Sequence, residues 1–136
     1  MKVLLINGSP KSNGNTFVAL NEVSKSLQAE GVETEIIHVG SKPLRGCLAC
    51  GQCNGLKECV TRDLVNEVLA KFKDADGLVA GSPVYYASAN ATLVALLDRV
   101  FYSSARQFDK TMKVGASVVS ARRGGNTATF DELNKY

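Results

Sequence analysis

The stretch VLLINGSPKSNGNT, residues 3–16, decides the fold. Its first four residues, Val3–Ile6, are apolar and partly β-branched, which is typical of a strand buried on both faces of a parallel sheet. The polar loop that follows leads into a predicted helix, from about Thr16 to Glu30, whose apolar residues recur at three- and four-residue spacing. Free N–H groups and the helix dipole favour an anion at such a helix start. The stretch therefore predicts a strand, a phosphate-binding loop and a helix.

The predicted phosphate-binding loop differs from two widespread loops of this kind. Gly14 is followed by Asn15 rather than by the lysine of a Walker loop, and the G-x-G-x-x-G dinucleotide fingerprint is absent. Its hydroxyl and amide side chains instead suit a terminal monophosphate that is bound without magnesium. The alternative interpretation is an ordinary polar turn with an asparagine cap.

Three further strands and three further helices are predicted downstream. The strands are Glu33–Val39, Gly77–Gly81 and Val114–Ser120; two helices carry apolar stripes within 64–72 and 93–101, and Thr129 with Glu132 predicts a capping box that opens the last helix. This alternation predicts an α/β fold, a flavodoxin-like doubly wound parallel sheet with helices on both faces and four of the usual five strands. We expect residues 1–136 to form a single domain. Because the chain stops about two turns into a helix with no fifth strand after it, we also expect a C-terminal truncation.

Composition excludes several classes of protein. The 136 residues are 45% hydrophobic and 21% charged, which suits a globular core. A net charge of +3, with basic residues scattered among acidic ones, predicts no nucleic-acid binding. The first apolar run is too short for a signal peptide or a membrane span, so the default expectation is a cytoplasmic protein that does not bind membranes.

All four cysteines of the chain lie in one short segment, residues 47–59, which we call the cysteine loop. They are Cys47, Cys50, Cys53 and Cys59. Thiolates at these spacings can wrap a soft metal centre, such as an iron-sulfur cluster or a zinc ion. Free or redox-active thiols and a disulfide are the alternatives.

Two more loops are predicted at the edge of the sheet where the phosphate-binding loop lies. Residues 82–90, SPVYYASAN, combine a proline, two tyrosines and small residues, which suits the edge and face of a flat heteroaromatic ring. Residues 121–126, ARRGGN, offer flexible backbone and cationic groups where negative charge would form on a reduced ring. Taken alone, the tyrosines also fit a role as core aromatics, and the arginines fit a solvated turn.

The remaining ionisable residues near these motifs are predicted to be structural. His38 is the only histidine, and it lies in a predicted strand away from the motifs. Asp63, Asp98 and Arg99 lie around predicted helices, where capping and surface ion pairs are the more common roles for such residues.

The chain resembles the NAD(P)H-dependent FMN reductases and, within them, the iron-sulfur flavoproteins. The resemblance rests on GSPKSNGNT, on CLACGQC with Cys59, on GSPVYYASAN and on ARRGG, in the family's order over essentially the whole chain. It implies an FMN-binding fold in which the phosphate is held by Ser9, Lys11, Ser12, Asn13, Asn15 and Thr16. It also implies that the isoalloxazine ring is bordered by Pro83, Val84, Tyr85, Tyr86, Ala87, Ala121, Arg122, Arg123, Gly124 and Gly125. Four thiolates, those of Cys47, Cys50, Cys53 and Cys59, would hold a 4Fe-4S cluster.

The expected function is that of an FMN-dependent oxidoreductase. It would pass electrons from NAD(P)H or a reduced redox protein to a small acceptor or a partner protein, and Arg122 and Arg123 would tune the flavin. The resemblance also implies a homodimer or a higher homo-oligomer. Two other functions stay open, a non-enzymatic flavin and iron-sulfur electron carrier and a zinc-stapled binding module without flavin.

Overall fold

The computed structural model describes residues 1–136, which form a parallel sheet with helices on both faces. In chain order the elements are β1 (Lys2–Asn7), α1 (Asn15–Ala29), β2 (Glu33–His38), α2 (Cys53–Leu56), α3 (Leu64–Asp74), β3 (Gly77–Tyr85), β4 (Ser88–Ala89), α4 (Ala91–Ser104), β5 (Val114–Ser120) and α5 (Asn126–Leu133). The parallel strands lie in the order β2-β1-β3-β5. This is the predicted flavodoxin-like order. It places the carboxyl ends of β1, β3 and β5 at one edge of the sheet.

The two faces of the sheet bury different helices because successive side chains of β1 point to opposite faces. Leu4 and Ile6 belong to the larger core cluster, which also contains the buried apolar residues of α3 and α4. Leu5 packs on the other face with Leu20 of α1 and Val79 of β3. All of these side chains are at least nine-tenths buried, and each contributes roughly 1.5–3 kcal/mol of hydrophobic stabilisation.

Two details of the predicted elements are wrong. The strand predicted over Gly77–Gly81 continues to Tyr85, because its outer half pairs with β5 as far as Pro83 and then turns back into the two-residue β4. The capping box predicted at Thr129 and Glu132 does not exist, since α5 already begins at Asn126 after a left-handed Gly125 (φ 92°). Thr129 is therefore inside the helix and buried.

Two short elements, β4 and α2, escape sequence prediction because each is too short to show a periodicity. No helix combines the length and the apolar character needed to cross a bilayer.

Candidate functional site

The loop between β1 and α1, residues 8–14, is held from inside by three hydrogen bonds. The backbone N–H of Ser9 donates to Oδ1 of Asn7 (3.0 Å), and the N–H of Lys11 donates to Oγ of Ser9 (3.1 Å). The Nδ2 amide of Asn7 donates to the carbonyl of Ser12 (3.3 Å). Because Asn7 and Ser9 are buried, these bonds fix the loop to the sheet and leave its outer side free.

That outer side presents unpaired donors at the start of α1. The backbone N–H groups of residues 12, 13, 15, 16 and 17 make no hydrogen bond within the chain. Helix α1 has no side-chain cap and no acidic residue in its first turn, whereas α3 and α4 are capped by Asp63 and Asn90. The arrangement of free donors and helix dipole is suited to an anion.

The six side chains expected at a phosphate are not equally available. Lys11, Ser12, Asn13 and Asn15 are exposed around the free N–H groups. Thr16 is buried, and its hydroxyl is 2.8 Å from Oγ of Ser120, at the end of β5. Thr16 therefore joins the start of α1 to the segment that leads into residues 121–125.

The last residue of β2, His38, and Gly40, two residues beyond it, pack against the same loop. Nε2 of His38 is 2.7 Å from the carbonyl oxygen of Ser9, and it donates the hydrogen bond because a carbonyl can only accept. Gly40 is buried, and a Cβ there would overlap backbone atoms of Ser9 and Pro10. The prediction that His38 lies away from the motifs is wrong, since parallel pairing of Asn7 with His38 brings it to the loop. Its role is still structural.

The turn between β3 and β4 and the segment after β5 line one open cleft. Val84, Tyr86 and Ala87 line it from the hairpin, and residues 122–125 line it from the other side. Tyr86 is fully exposed and has a left-handed backbone (φ 61°), which is uncommon for an aromatic residue and is typical of functional turns. Pro83, Tyr85 and Ala121 flank this cleft without lining it.

Glu132 of α5 secures the hairpin of this cleft. Its carboxylate accepts hydrogen bonds from Oγ of Ser88 and from the N–H of Ala89 (3.3 Å). The residue that was expected to cap a helix thus joins α5 to β4.

The four cysteines line a second pocket, against α4. Cys47 and Cys50 are exposed, Cys59 is partly buried, Cys53 is buried at the start of α2, and none forms a disulfide. Left-handed residues within the loop, Ala49 and Gly51, turn the chain around the pocket. No three His, Cys, Asp or Glu side chains converge closely enough to form a ready-made metal site. All four thiols therefore line the same pocket, but they do not surround a common point.

Arg99 of α4 is a residue of this pocket that sequence reasoning placed at the surface. It is only 2% exposed, and it makes a bidentate ion pair with Asp63, the cap of α3, at 2.7 and 3.0 Å. Its Nη2 also donates to Sγ of Cys59 (3.2 Å) and to the carbonyl of Thr61, and its Nη1 donates to the carbonyl of Arg45. Burial lowers the pKa of the guanidinium, but the hydrogen bonds to Asp63 and Cys59 outweigh it, so the pKa is raised.

Capping and surface ion pairs were the roles expected from sequence for Asp63 and Arg99. Asp63 does cap α3, but neither its pairing with Arg99 nor the burial of Arg99 was predicted. One signal was present in the sequence. Arg99 lies three residues after Leu96 and therefore falls on the apolar stripe of α4, where a charged residue needs a partner.

The family model of NADPH-dependent FMN reductases matches residues 1–136. The chain belongs to this family. The resemblance expected from sequence is thereby confirmed, and so is the class of enzyme, an oxidoreductase.

Curated relatives carry the name iron-sulfur flavoprotein. One from Methanocaldococcus jannaschii is 37% identical over 138 residues, covering 100% of this chain and 71% of its own length. One from Methanosarcina thermophila is 31% identical, with 100% of this chain and 72% of the relative covered. A third, from Archaeoglobus fulgidus, is 35% identical, and the chain covers 61% of it.

Solved structures show the same fold at low sequence identity. RosB with a bound riboflavin-phosphate intermediate has a TM-score of 0.78 at 18% identity, covering 99% of this chain and 57% of RosB. A flavodoxin from the domain Archaea has a TM-score of 0.64 at 16% identity, covering 99% of this chain and 71% of the flavodoxin. The predicted flavodoxin-like α/β fold is confirmed.

Proposed function

We propose that this chain is an FMN-dependent oxidoreductase that moves electrons from NAD(P)H or a reduced redox protein to a small acceptor or a partner protein, by way of a 4Fe-4S cluster. The observation that carries the proposal is the uncapped start of α1, whose free N–H groups lie at the same sheet edge as the cleft lined by the hairpin and residues 122–125. An anionic group and a flat ring on one ligand fit these two neighbouring features.

For FMN, the free N–H groups of residues 12, 13, 15, 16 and 17 would hold the phosphate, together with the exposed side chains of Lys11, Ser12, Asn13 and Asn15. The buried hydroxyls of Ser9 and Thr16 would shape the loop from inside, since Oγ of Ser9 accepts a bond from the N–H of Lys11 and the hydroxyl of Thr16 bonds to that of Ser120. Residues 83–87 and 121–125 would border the ring. FMN would supply reversible electron transfer, while the protein would orient the ring and support its negative charge when reduced.

For the cluster, the donor set fits in chemistry. Four thiols line one pocket, the chain has no cysteine elsewhere, and thiolate is the preferred ligand of iron-sulfur clusters. The names of the curated relatives point the same way. Cys47, Cys50, Cys53 and Cys59 would be the ligands.

The test of the enzymatic function is whether NADH or NADPH alone reduces the bound flavin under anaerobic conditions. Reduction is monitored as the loss of the flavin's visible absorbance. Rapid bleaching by either nucleotide supports a reductase. If the flavin exchanges electrons only with redox proteins, and with neither a nicotinamide nucleotide nor a small acceptor, the chain is a carrier of electrons between proteins instead.

The family resemblance also predicts a homodimer or a higher homo-oligomer. That residues 1–136 form a single domain stays a separate prediction, made from the sequence. Molar mass measured in solution by light scattering would give twice the chain mass for a dimer.

Removing the two arginines of the cleft is expected to lower the flavin's reduction potential. Arg122 and Arg123 are both exposed at the cleft, so Arg122→Ala with Arg123→Ala removes positive charge from beside the ring position. The reduced flavin is expected to lose about 0.5–1 kcal/mol of stabilisation relative to the oxidised flavin, which is the scale of an exposed charge pair. A spectroscopic redox titration measures this change. Arg106→Ala, which removes an exposed arginine outside this cleft, serves as the control. An unchanged potential and unchanged turnover in the double variant would show that the arginines do not support the reduced ring.

Removing the carboxylate that secures the hairpin is expected to weaken FMN binding. Glu132→Ala deletes both hydrogen bonds to β4, so the hairpin loses its tie to α5. Because hydrogen bonds to a charged group contribute about 1.5–3 kcal/mol, we expect roughly a tenfold loss of affinity, measured by quenching of FMN fluorescence. Asp131→Ala removes a neighbouring exposed carboxylate as the control, and equal affinity in the two variants would refute the role of Glu132.

A further inference from the structure

The guanidinium of Arg99 joins the two ends of the cysteine loop. Its Nη1 binds the carbonyl of Arg45, two residues before Cys47, and its Nη2 binds Sγ of Cys59, the last cysteine of the loop. The side chain comes from α4, a helix of 14 residues whose own apolar face is buried in the core. Arg99 therefore fixes both ends of a long irregular loop to a rigid element.

The ion pair with Asp63 does not explain the contact with Cys59. A bidentate pair uses one N–H from each terminal nitrogen of the guanidinium, and here Nη1 binds Oδ2 while Nη2 binds Oδ1. The second N–H of Nη2 remains available, and it lies towards Sγ of Cys59 and the carbonyl of Thr61. A positive hydrogen-bond donor on a buried side chain thus faces a partly buried sulfur atom, and electrostatic interactions are stronger there than in bulk water.

We propose that Arg99 is a positioning residue for Cys59, which it holds by a hydrogen bond to Sγ, and that this bond raises the reduction potential of the cluster. The proposal rests on the proposed function, because it takes Cys59 as a cluster ligand. Hydrogen bonds to the sulfur atoms are among the features by which a protein sets the potential of such a cluster. One-electron reduction by dithionite adds one negative charge to the cluster, and no bond to Arg99 forms or breaks. A cationic donor on a ligand sulfur favours that more negative state.

Two substitutions separate the hydrogen bond from the fold. Arg99→Met keeps an unbranched apolar stem and removes both the charge and the donors, whereas Arg99→Lys keeps the charge and loses the planar fork. Asp63→Asn is the control, because it keeps an oxygen to cap α3 and removes the negative charge of the ion pair, while the guanidinium of Arg99 is retained.

The measurement is the midpoint potential of the cluster, from a dithionite titration with redox mediators monitored by electron paramagnetic resonance, with iron and FMN content and the melting temperature of each protein. For Arg99→Met we expect the ratio of reduced to oxidised cluster at a fixed potential to fall about tenfold, which is about 59 mV for a one-electron couple. In Arg99→Lys this ratio is expected to fall less. In Asp63→Asn the ratio is expected not to fall, even if the melting temperature of that variant does.

A wild-type potential in both Arg99 variants overturns the proposal, as does a fall in Asp63→Asn equal to that in Arg99→Met, since the effect would then be structural. If Arg99→Met retains no cluster, the potential of Arg99→Lys decides: a lowered potential supports the proposal, and a wild-type potential overturns it. Absence of iron from the wild-type protein would instead refute the iron-sulfur part of the proposed function.

Discussion

The substitution Gly40→Ala is expected to reduce FMN affinity by roughly 10- to 100-fold. A Cβ at this buried position would overlap backbone atoms of Ser9 and Pro10, and a backbone clash cannot be relieved by rotating a side chain. Overpacking of this kind costs about 1–3 kcal/mol, and relieving it displaces the loop between β1 and α1 relative to the segment after β2. Affinity is measured by titrating the flavin-free protein with FMN and following fluorescence.

Gly115→Ala is the matched control for this prediction. No atom lies within 4 Å of a Cβ built on Gly115, and its backbone needs no left-handed conformation. The control is expected to bind FMN as the wild type does. Equal affinity in Gly40→Ala and the wild type would mean that the loop between β1 and α1 does not hold the phosphate.

The substitution Cys53→Ser is expected to remove the cluster and to spare the flavin. Cys53 is the buried cysteine of the pocket, and a serine hydroxyl is a poor ligand for the soft iron sites of a cluster. Iron should fall from about four atoms per chain to less than about one, and FMN content should stay at the wild-type level. Iron and FMN are quantified on the same anaerobic sample.

Every cysteine of the chain lies in the cysteine loop, so a control must place a serine at another residue of that loop. Ala49→Ser does so between Cys47 and Cys50, and it is expected to keep the full iron content. Wild-type iron in Cys53→Ser would exclude this residue as a ligand. If Ala49→Ser lost as much iron as Cys53→Ser, the loss would be a general effect of serine in this loop and would not identify Cys53 as a ligand.

The sheet could be predicted from sequence because its strands carry an unambiguous signal. Val3–Ile6 and Val114–Ser120 are recognisable apolar runs, and parallel pairing then brings the three loops to one edge whatever their details. The cysteine loop was equally recognisable, since the spacing of cysteines needs no three-dimensional information.

Contacts between distant segments could not be predicted. Sequence alone does not show that Arg99 reaches Cys59 and Arg45, or that Glu132 reaches Ser88, because each pair is brought together by the packing of a helix. The bond from His38 to Ser9 depends on the register of β1 with β2. The capping box at Thr129 failed for a related reason, since a left-handed Gly125 allows α5 to start earlier than its side-chain pattern indicates.

The central claim is that one chain binds both FMN, at the edge formed by the phosphate-binding loop and the cleft, and a 4Fe-4S cluster, in the cysteine pocket. The most direct test is the absorbance spectrum of protein purified without oxygen, with iron and FMN quantified on that sample. We expect flavin bands, FMN equimolar with the chain and about four iron atoms per chain. Flavin without iron would contradict the cluster, and colourless protein that contains stoichiometric zinc and binds no added FMN would contradict the whole account.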